Sequence, residues 1–513
     1  MAARGGLPPG GRFVAIPAEH ALCDFAVFPA HSARFGDGLS RMSESLVVGR
    51  GWTRARVVLP EAPLSRWQNE LAAIGLLVPV LMLAAVVNGF PIIFYDTGAY
   101  VLQGFERVFI AERSPVYSLF LDYAGGPASL WYVALAQCAV VAFVFVQFVR
   151  AVKPNLSLWV MLLIGLVLTL GTGLPWYAAQ IEPDCFVAIA PMAIYLLAFH
   201  RLGWWRNALL MLCATLAAAS HNSHLGVAIG LSTALVFVRM AAVFKPSLLT
   251  VKPRVLLSAL ICVLALGVVL ASNYVFTRHV FFSRAGSIFI SARMMQDGLI
   301  KPVLDSDCPA AGYRICKYKD SLPSRADAYL WEEKISPFFR IGGFRKMEPE
   351  SAKLVRASLT RYPLANAGWA VIDTALQFFA YPTGDGIVPQ EWVLEPEFRR
   401  TIPAQMGDYN TAYQQRGYLW FLPLNLIHVP VAFLSIGVLF WLLRRAARAR
   451  DWKAATLPAF VLVALLGNAF ICGVFSGPHY RYQSRMMWWP ALVVILLGAK
   501  EIPALRQRFE SVT

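Results

Sequence analysis

Residues 69–100 read NELAAIGLLVPVLMLAAVVNGFPIIFYDTGAY. From Leu71 to Val87 no charged side chain interrupts the run. Asn88-Gly89-Phe90-Pro91 then breaks it, and Tyr95-Asp96-Thr97-Gly98 follows. An apolar run of about 20 residues is the length of helix that crosses the hydrocarbon of a bilayer. It must be helical, because lipid offers an open backbone no hydrogen-bond partner. The stretch therefore predicts a membrane helix over 69–88, closed by a turn that lifts an acid just clear of the membrane.

The same pattern recurs along the chain. It predicts further spans over 129–149, 156–174, 184–200, 206–220, 223–243, 255–276, 418–443, 455–476 and 486–500. The expected fold is an all-α polytopic membrane protein of about ten transmembrane helices, with a large, mainly helical extracytoplasmic loop domain. Composition agrees. Hydrophobic residues are 58% and charged residues 15% of 513, against roughly 45–50% and 25% in soluble domains. That excludes a water-soluble enzyme, a disordered chain and a disulfide-dense miniprotein.

The net charge of +16 suggests nucleic acid until its distribution is read. One set of short loops, with the C-terminal tail, holds sixteen cations: Arg150, Lys153, Arg201, Arg206, Arg239, Lys245, Lys252, Arg254, Arg444, Arg445, Arg448, Arg450, Lys453, Lys500, Arg506 and Arg508. Three acids, Asp451, Glu501 and Glu510, oppose them. The alternate loops carry only Arg107, Arg113, Arg481 and Arg485. Cationic short loops stay in the cytoplasm. The expectation is a multi-pass protein of a bacterial inner (plasma) membrane, both termini cytoplasmic, without a nucleic-acid partner.

Four parts follow. Residues 1–66, which hold no apolar stretch long enough for a signal peptide, read as a disordered cytoplasmic extension. Residues 67–276 carry the first seven helices. Residues 277–417, with 18 cations and 15 acids, form the outside domain. Residues 418–513 carry the last three helices and a short tail. Cys308 and Cys316 lie in the outside part, where an oxidising compartment favours a disulfide between them. Within it 351–361 and 364–380 read as helices, the second apolar enough to lie on the membrane surface.

The polar residues gather at the outside ends of the spans. They are Tyr95, Asp96 and Tyr100 after the first; then Arg113 and Tyr117; Glu182 and Asp184 between the third and fourth; His221 and His224 after the fifth; and His479, Arg481, Tyr482 and Arg485 before the last. Each has a bland reading. Asp96 could cap a helix, Arg113 and Arg485 could snorkel, and His221 and His224 could cap a hairpin or share a divalent metal. Together they read as a site, because ionisable groups at a membrane face the protein interior or a water-filled cavity. A carboxylate there can act as general base toward a hydroxyl, and arginine with tyrosine can hold a phosphate. The chain has no Gly-rich phosphate loop, so the donor expected is a sugar on a polyprenyl phosphate rather than on a nucleotide.

Tyr95-Asp96-Thr97-Gly98-Ala99-Tyr100 resembles the acidic first-loop motif of the GT-C superfamily, the integral-membrane, lipid-phosphate-dependent glycosyltransferases that include protein mannosyltransferases and aminoarabinose transferases. Arg113-Ser114-Pro115-Val116-Tyr117 resembles the Arg-x-Pro segment that follows, Glu182-Pro183-Asp184 the second acidic element, and His479-Tyr480-Arg481-Tyr482 the late Arg-Tyr element. Many members have an acid pair in the first loop; here Thr97 follows Asp96. The resemblance covers roughly 69–500 as an order of short motifs. It implies an inverting glycosyltransferase that moves a sugar to an extracytoplasmic glycan, lipid or protein, with no resident cofactor. Asp96 would be the base, Arg113, Arg481 and Arg485 would contact the lipid phosphate, and Glu182, Asp184, His221 and His224 would position acceptor or donor. A transporter or flippase for a lipid-linked glycan, and a surface-polysaccharide polymerase or ligase, are the competing readings.

Overall fold

The structure is a computed structural model and describes residues 66–245 and 251–498. The N-terminal extension, apart from Arg66, and the tail with Lys500, Arg506 and Arg508 lie outside the described residues. Among the described residues the chain is all-helical, with no strand.

Six helices among the described residues are long and apolar enough to cross a membrane: Trp67–Asn88, Leu130–Val152, Asn222–Phe244, Val255–Thr277, Leu422–Arg448 and Trp452–Phe475. Local chemistry sets their ends. Ser129 and Asp451 accept backbone N–H bonds at the starts of the second and sixth, satisfying donors that the helix itself leaves free. Gly89, at φ 80°, closes the first, in a backbone region that favours glycine.

The other four expected spans are also helices, but shorter: Leu158–Gly171, Ile189–Phe199, Trp204–Ala219 and Trp488–Gly498. Pro175 and Pro183 lie in the first turns of the short helices Leu174–Ala178 and Pro183–Phe186 and keep 158–199 from forming one continuous helix. The eleven residues of Ile189–Phe199 rise only about 16 Å. All but Phe199 are buried in protein.

Burial sorts the long helices. Leu130–Val152 and Trp452–Phe475 are 67% and 61% buried over their most apolar stretch and form the hub. Val255–Thr277 and Leu422–Arg448, at 28%, form the rim. Rim side chains such as Leu256, Val263, Leu426 and Leu434 stand exposed, as apolar groups do where lipid is the solvent.

The stretch between the seventh and eighth expected spans has a hydrophobic core of its own, built on Ile288, Ile300, Val303, Leu330, Phe338 and Leu354. Cys308 and Cys316 are joined there in a disulfide, their Cα atoms 5.5 Å apart. The helices read over 351–361 and 364–380 are Glu348–Arg361 and Pro363–Phe378. The second is inverted for a water-facing helix. It buries Asp373 and Gln377 and exposes Leu364, Val371 and Leu376. Gly473 lets it approach the hub closely, since a Cβ there would lie 2.6 Å from the Asp373 carbonyl oxygen.

Candidate functional site

Side chains that satisfy backbone groups fix the loop after the first helix. Asn88 Nδ2 donates to the Phe90 carbonyl at 2.7 Å. The Ile92 N–H donates to the Ala179 carbonyl at 3.2 Å, and the Ile181 N–H to the Ile92 carbonyl at 2.8 Å. Thr97 Oγ1 accepts from the Phe94 N–H and donates to the Ile181 carbonyl, both at 2.9 Å. These bonds zip the Asp96 loop onto the Glu182 loop. The late element is held from below: Asn468, buried in the hub, donates to the Tyr482 carbonyl at 2.6 Å.

Asp96 occupies the position before the helix Thr97–Glu106, yet its side chain caps no N–H. It pairs with Arg113, and its second oxygen is 3.9 Å from Arg481. Asp184 takes both other arginines: it pairs with Arg485, which is fully buried, and lies 3.6 Å from Arg481. Arg481 also stacks its guanidinium 4.0 Å from the Phe94 ring centre. Arg485 therefore does not snorkel.

Glu182 is buried, and its Oε1 has no hydrogen-bond partner. Burial, with Asp96 and Asp184 adding negative charge, raises its carboxyl well above the usual carboxylate range. Three guanidiniums (Arg113, Arg481, Arg485) share the carboxylates of Asp96 and Asp184.

The sign of the Glu182 shift gives a test. A proton bound more tightly in the folded chain contributes stability that is full below the ordinary carboxyl value, ~4.3. That contribution is lost as pH rises through the raised value. Glu182→Gln is expected to raise the melting temperature at pH 8, and by less at pH 5. A lower melting temperature at pH 8 would contradict the raised proton affinity.

Part of this cluster lines a cavity of about 1990 Å³. Tyr95, Asp96, Arg113, His221, His479, Arg481 and Tyr482 line it. Its remaining wall is largely apolar, including Ile229, Leu266, Phe282, Phe289, Ile471 and Phe475. The cavity lies between the helix bundle and residues of the second core. Glu182, Asp184, Arg485, Tyr100, Tyr117 and His224 stand behind the wall. Tyr100 and Tyr117 pack edge to face at 4.9 Å, and the Tyr117 hydroxyl donates to Gln137 Oε1 at 2.9 Å, so these two tyrosines brace the wall.

His221 starts the helix Asn222–Phe244 by accepting the Ser223 N–H at 3.2 Å. Burial lowers its proton affinity. His224 directs Nδ1 at the Ala217 carbonyl, 3.0 Å away, and keeps Nε2 buried without a partner. The two rings lie 5.3 Å apart. No group of three His, Cys, Asp or Glu suited to a metal occurs among the described residues.

Sequence reasoning missed several lining residues. His479 lies between Asp327 at 3.5 Å and Asp385 at 3.9 Å, and Asp385 also accepts the Arg481 N–H at 3.2 Å. Trp331 lies 5.7 Å from the Arg113 guanidinium. Glu112 lines the same wall, its carboxyl raised by burial. Asp327, Trp331 and Asp385 belong to the long loop region, where no span end flags them.

No protein-family model, curated protein or solved structure matches the chain.

Proposed function

We propose that the chain is a GT-C-like membrane glycosyltransferase that moves a sugar from a polyprenyl-phosphate donor to an extracytoplasmic glycan, lipid or protein. The observation that carries this is the cavity's two-part lining. Apolar side chains such as Ile229, Leu266, Phe289 and Phe475 share one cavity with the Asp96 carboxylate and the Arg113 and Arg481 guanidiniums. An anionic group on a lipid tail suits two arginines set among apolar side chains.

In this reading the donor phosphate binds Arg113 and Arg481. Arg113, drawn to the phosphate, releases Asp96 from its ion pair. Asp96 accepts the proton of the acceptor hydroxyl as the hydroxyl oxygen bonds to the anomeric carbon. The bond from that carbon to the phosphate oxygen breaks, and polyprenyl phosphate leaves with the electron pair. Attack opposite the leaving group inverts the anomeric centre. His479, Asp327 and Asp385 face the sugar or the acceptor.

The proposed topology is ten spans in a bacterial inner membrane, with 277–417 outside and both ends inside. Two antiparallel helices support it. His221 and Phe475 mark the site end of Asn222–Phe244 and Trp452–Phe475, while Lys245 and Trp452, 5.3 Å apart, mark the other. Twenty-three residues rise about 34 Å, so the basic loops and the site are a membrane thickness apart. Transport is disfavoured, because its ionisable groups belong near the bilayer midplane.

Incubating purified protein with a panel of labelled polyprenyl-phosphate sugars and envelope acceptors tests the function. Label moving to an acceptor supports it. Label crossing the bilayer of vesicles without transfer would favour the flippase. Separately, a reporter fused near residue 310 is expected to show extracytoplasmic activity, and cytoplasmic activity there would overturn the topology.

A further inference from the structure

Two buried glutamines make the same unusual set of bonds. Gln414 Oε1 accepts the Ile93 N–H at 3.0 Å, and its Nε2 donates back to the Ile93 carbonyl at 2.7 Å and on to the Val388 carbonyl at 3.1 Å. Gln377 Oε1 accepts the His479 N–H at 2.9 Å, and its Nε2 donates to the His479 carbonyl at 2.9 Å. A side-chain amide has the same donor and acceptor as a peptide group. Each glutamine therefore pairs with one loop residue as a neighbouring strand would.

The clamped residues matter. Ile93 lies three residues before Asp96, and His479 two before Arg481. Both loops are non-helical at these points, so their backbone groups have no helical partner. Both glutamines come from the region between the seventh and eighth expected spans, and both are almost wholly buried. Around Gln414 the register is fixed twice more: its N–H donates to Asn88 Oδ1 at 2.7 Å, and the Tyr413 N–H donates to the Asn88 carbonyl at 2.9 Å.

We propose that Gln414 and Gln377 are positioning residues: by clamping Ile93 and His479 to the outer region they set the distance between Asp96 and Arg481. The proposal rests on the reading of these two as base and phosphate ligand. The region between the seventh and eighth expected spans thus does more than cover the cavity. It holds both the acid-bearing loop and the arginine-bearing loop, although the two lie 385 positions apart in the chain.

The plainer account is that the glutamines only satisfy buried backbone groups. Gln405 supplies the control. It makes the same kind of clamp, accepting the Leu130 N–H at 2.9 Å and donating to the Gly126 carbonyl at 3.3 Å, on a helix start that carries no cavity residue. Methionine at any of the three positions keeps the volume and removes the side chain's hydrogen bonds.

The experiment uses the full chain in lipid nanodiscs, with Gln414→Met, Gln377→Met and Gln405→Met. It reads donor kinetics and amide hydrogen exchange by mass spectrometry. Displacing a reacting group by about 1 Å costs on the order of 100-fold. Gln414→Met and Gln377→Met are expected to lower kcat by roughly that factor, with donor KM little changed, and Gln405→Met to leave kcat alone. Gln414→Glu, which can still accept from the Ile93 N–H, is expected to recover part of the loss. Exchange is expected to quicken at Ile93 in the first variant and at His479 in the second. A fall in kcat no larger than that of Gln405→Met overturns the proposal, and so does unchanged exchange at Ile93 and His479. Wild-type protein that transfers no sugar while these amides respond as expected overturns the proposed function instead.

Discussion

Asp96→Asn is expected to remove sugar transfer, lowering kcat by roughly 10²–10⁴-fold, the usual contribution of a general base. The amide has nearly the shape of the carboxylate and cannot accept the proton. A structural explanation of the loss is available only if Asp96 holds up the fold, and its contacts argue against that. Its side chain caps no helix and is 19% exposed, whereas the Asp184–Arg485 pair is almost fully enclosed. The melting temperature of the variant is therefore expected to stay close to that of the wild type. Kinetics with a labelled donor and a thermal melt in the same detergent check both halves. Near-normal transfer would pass the role of base to another group facing the cavity, with Asp385 and Glu112 the first to test.

Asp184→Ala is expected to act the other way, through stability. Removing the acid strands Arg485, whose side chain is wholly buried, and takes away a neighbour of Arg481 at 3.6 Å. Breaking a buried pair by deleting one partner typically costs about 3–5 kcal/mol, a large share of the ~5–15 kcal/mol that hold a domain together. The variant is expected to be recovered in low yield with a sharply lower melting temperature. Replacing both partners, Asp184→Leu with Arg485→Met, is expected to restore much of the loss, since an apolar pair of similar size strands no charge. If the single variant melts like the wild type, the pair is not a main support of the fold.

Hydropathy made the helices legible, because a run such as Leu71–Val87 can hide its backbone from lipid in only one way. The site was legible in outline for the same reason. The ends of apolar helices are brought together by the bundle, so Asp96, Arg113, His221 and Arg481 line one cavity although they are distant in sequence. What stayed hidden depends on side-chain pairing across long separations. Nothing near Arg485 in the chain says that Asp184, 301 positions away, is its partner. Glutamines such as Gln377 and Gln414 carry no periodic signal, and their meaning lies in the backbone atoms they reach. Asp327 and Asp385 sit in a region of mixed charge, where one more acid is inconspicuous. Hydropathy also cannot separate a helix facing lipid from one facing protein. Ile189–Phe199 therefore reads as an ordinary span in the sequence, although it is wrapped by other helices.

That wrapped helix decides how the protein would feel a change of membrane. Only side chains in contact with acyl chains sense the thickness of the bilayer, and mismatch costs fractions of a kcal/mol per Å. Val255–Thr277 and Leu422–Arg448, 23 and 27 residues long, expose the apolar side chains that would form that contact, and would tilt when the lipid tails are lengthened or shortened. Ile189–Phe199 presents almost no surface to the tails. It leads from the turn that carries Glu182 and Asp184. The acids therefore sit on an axle inside a wheel, and the rim can adjust to tail length while the axle keeps its place.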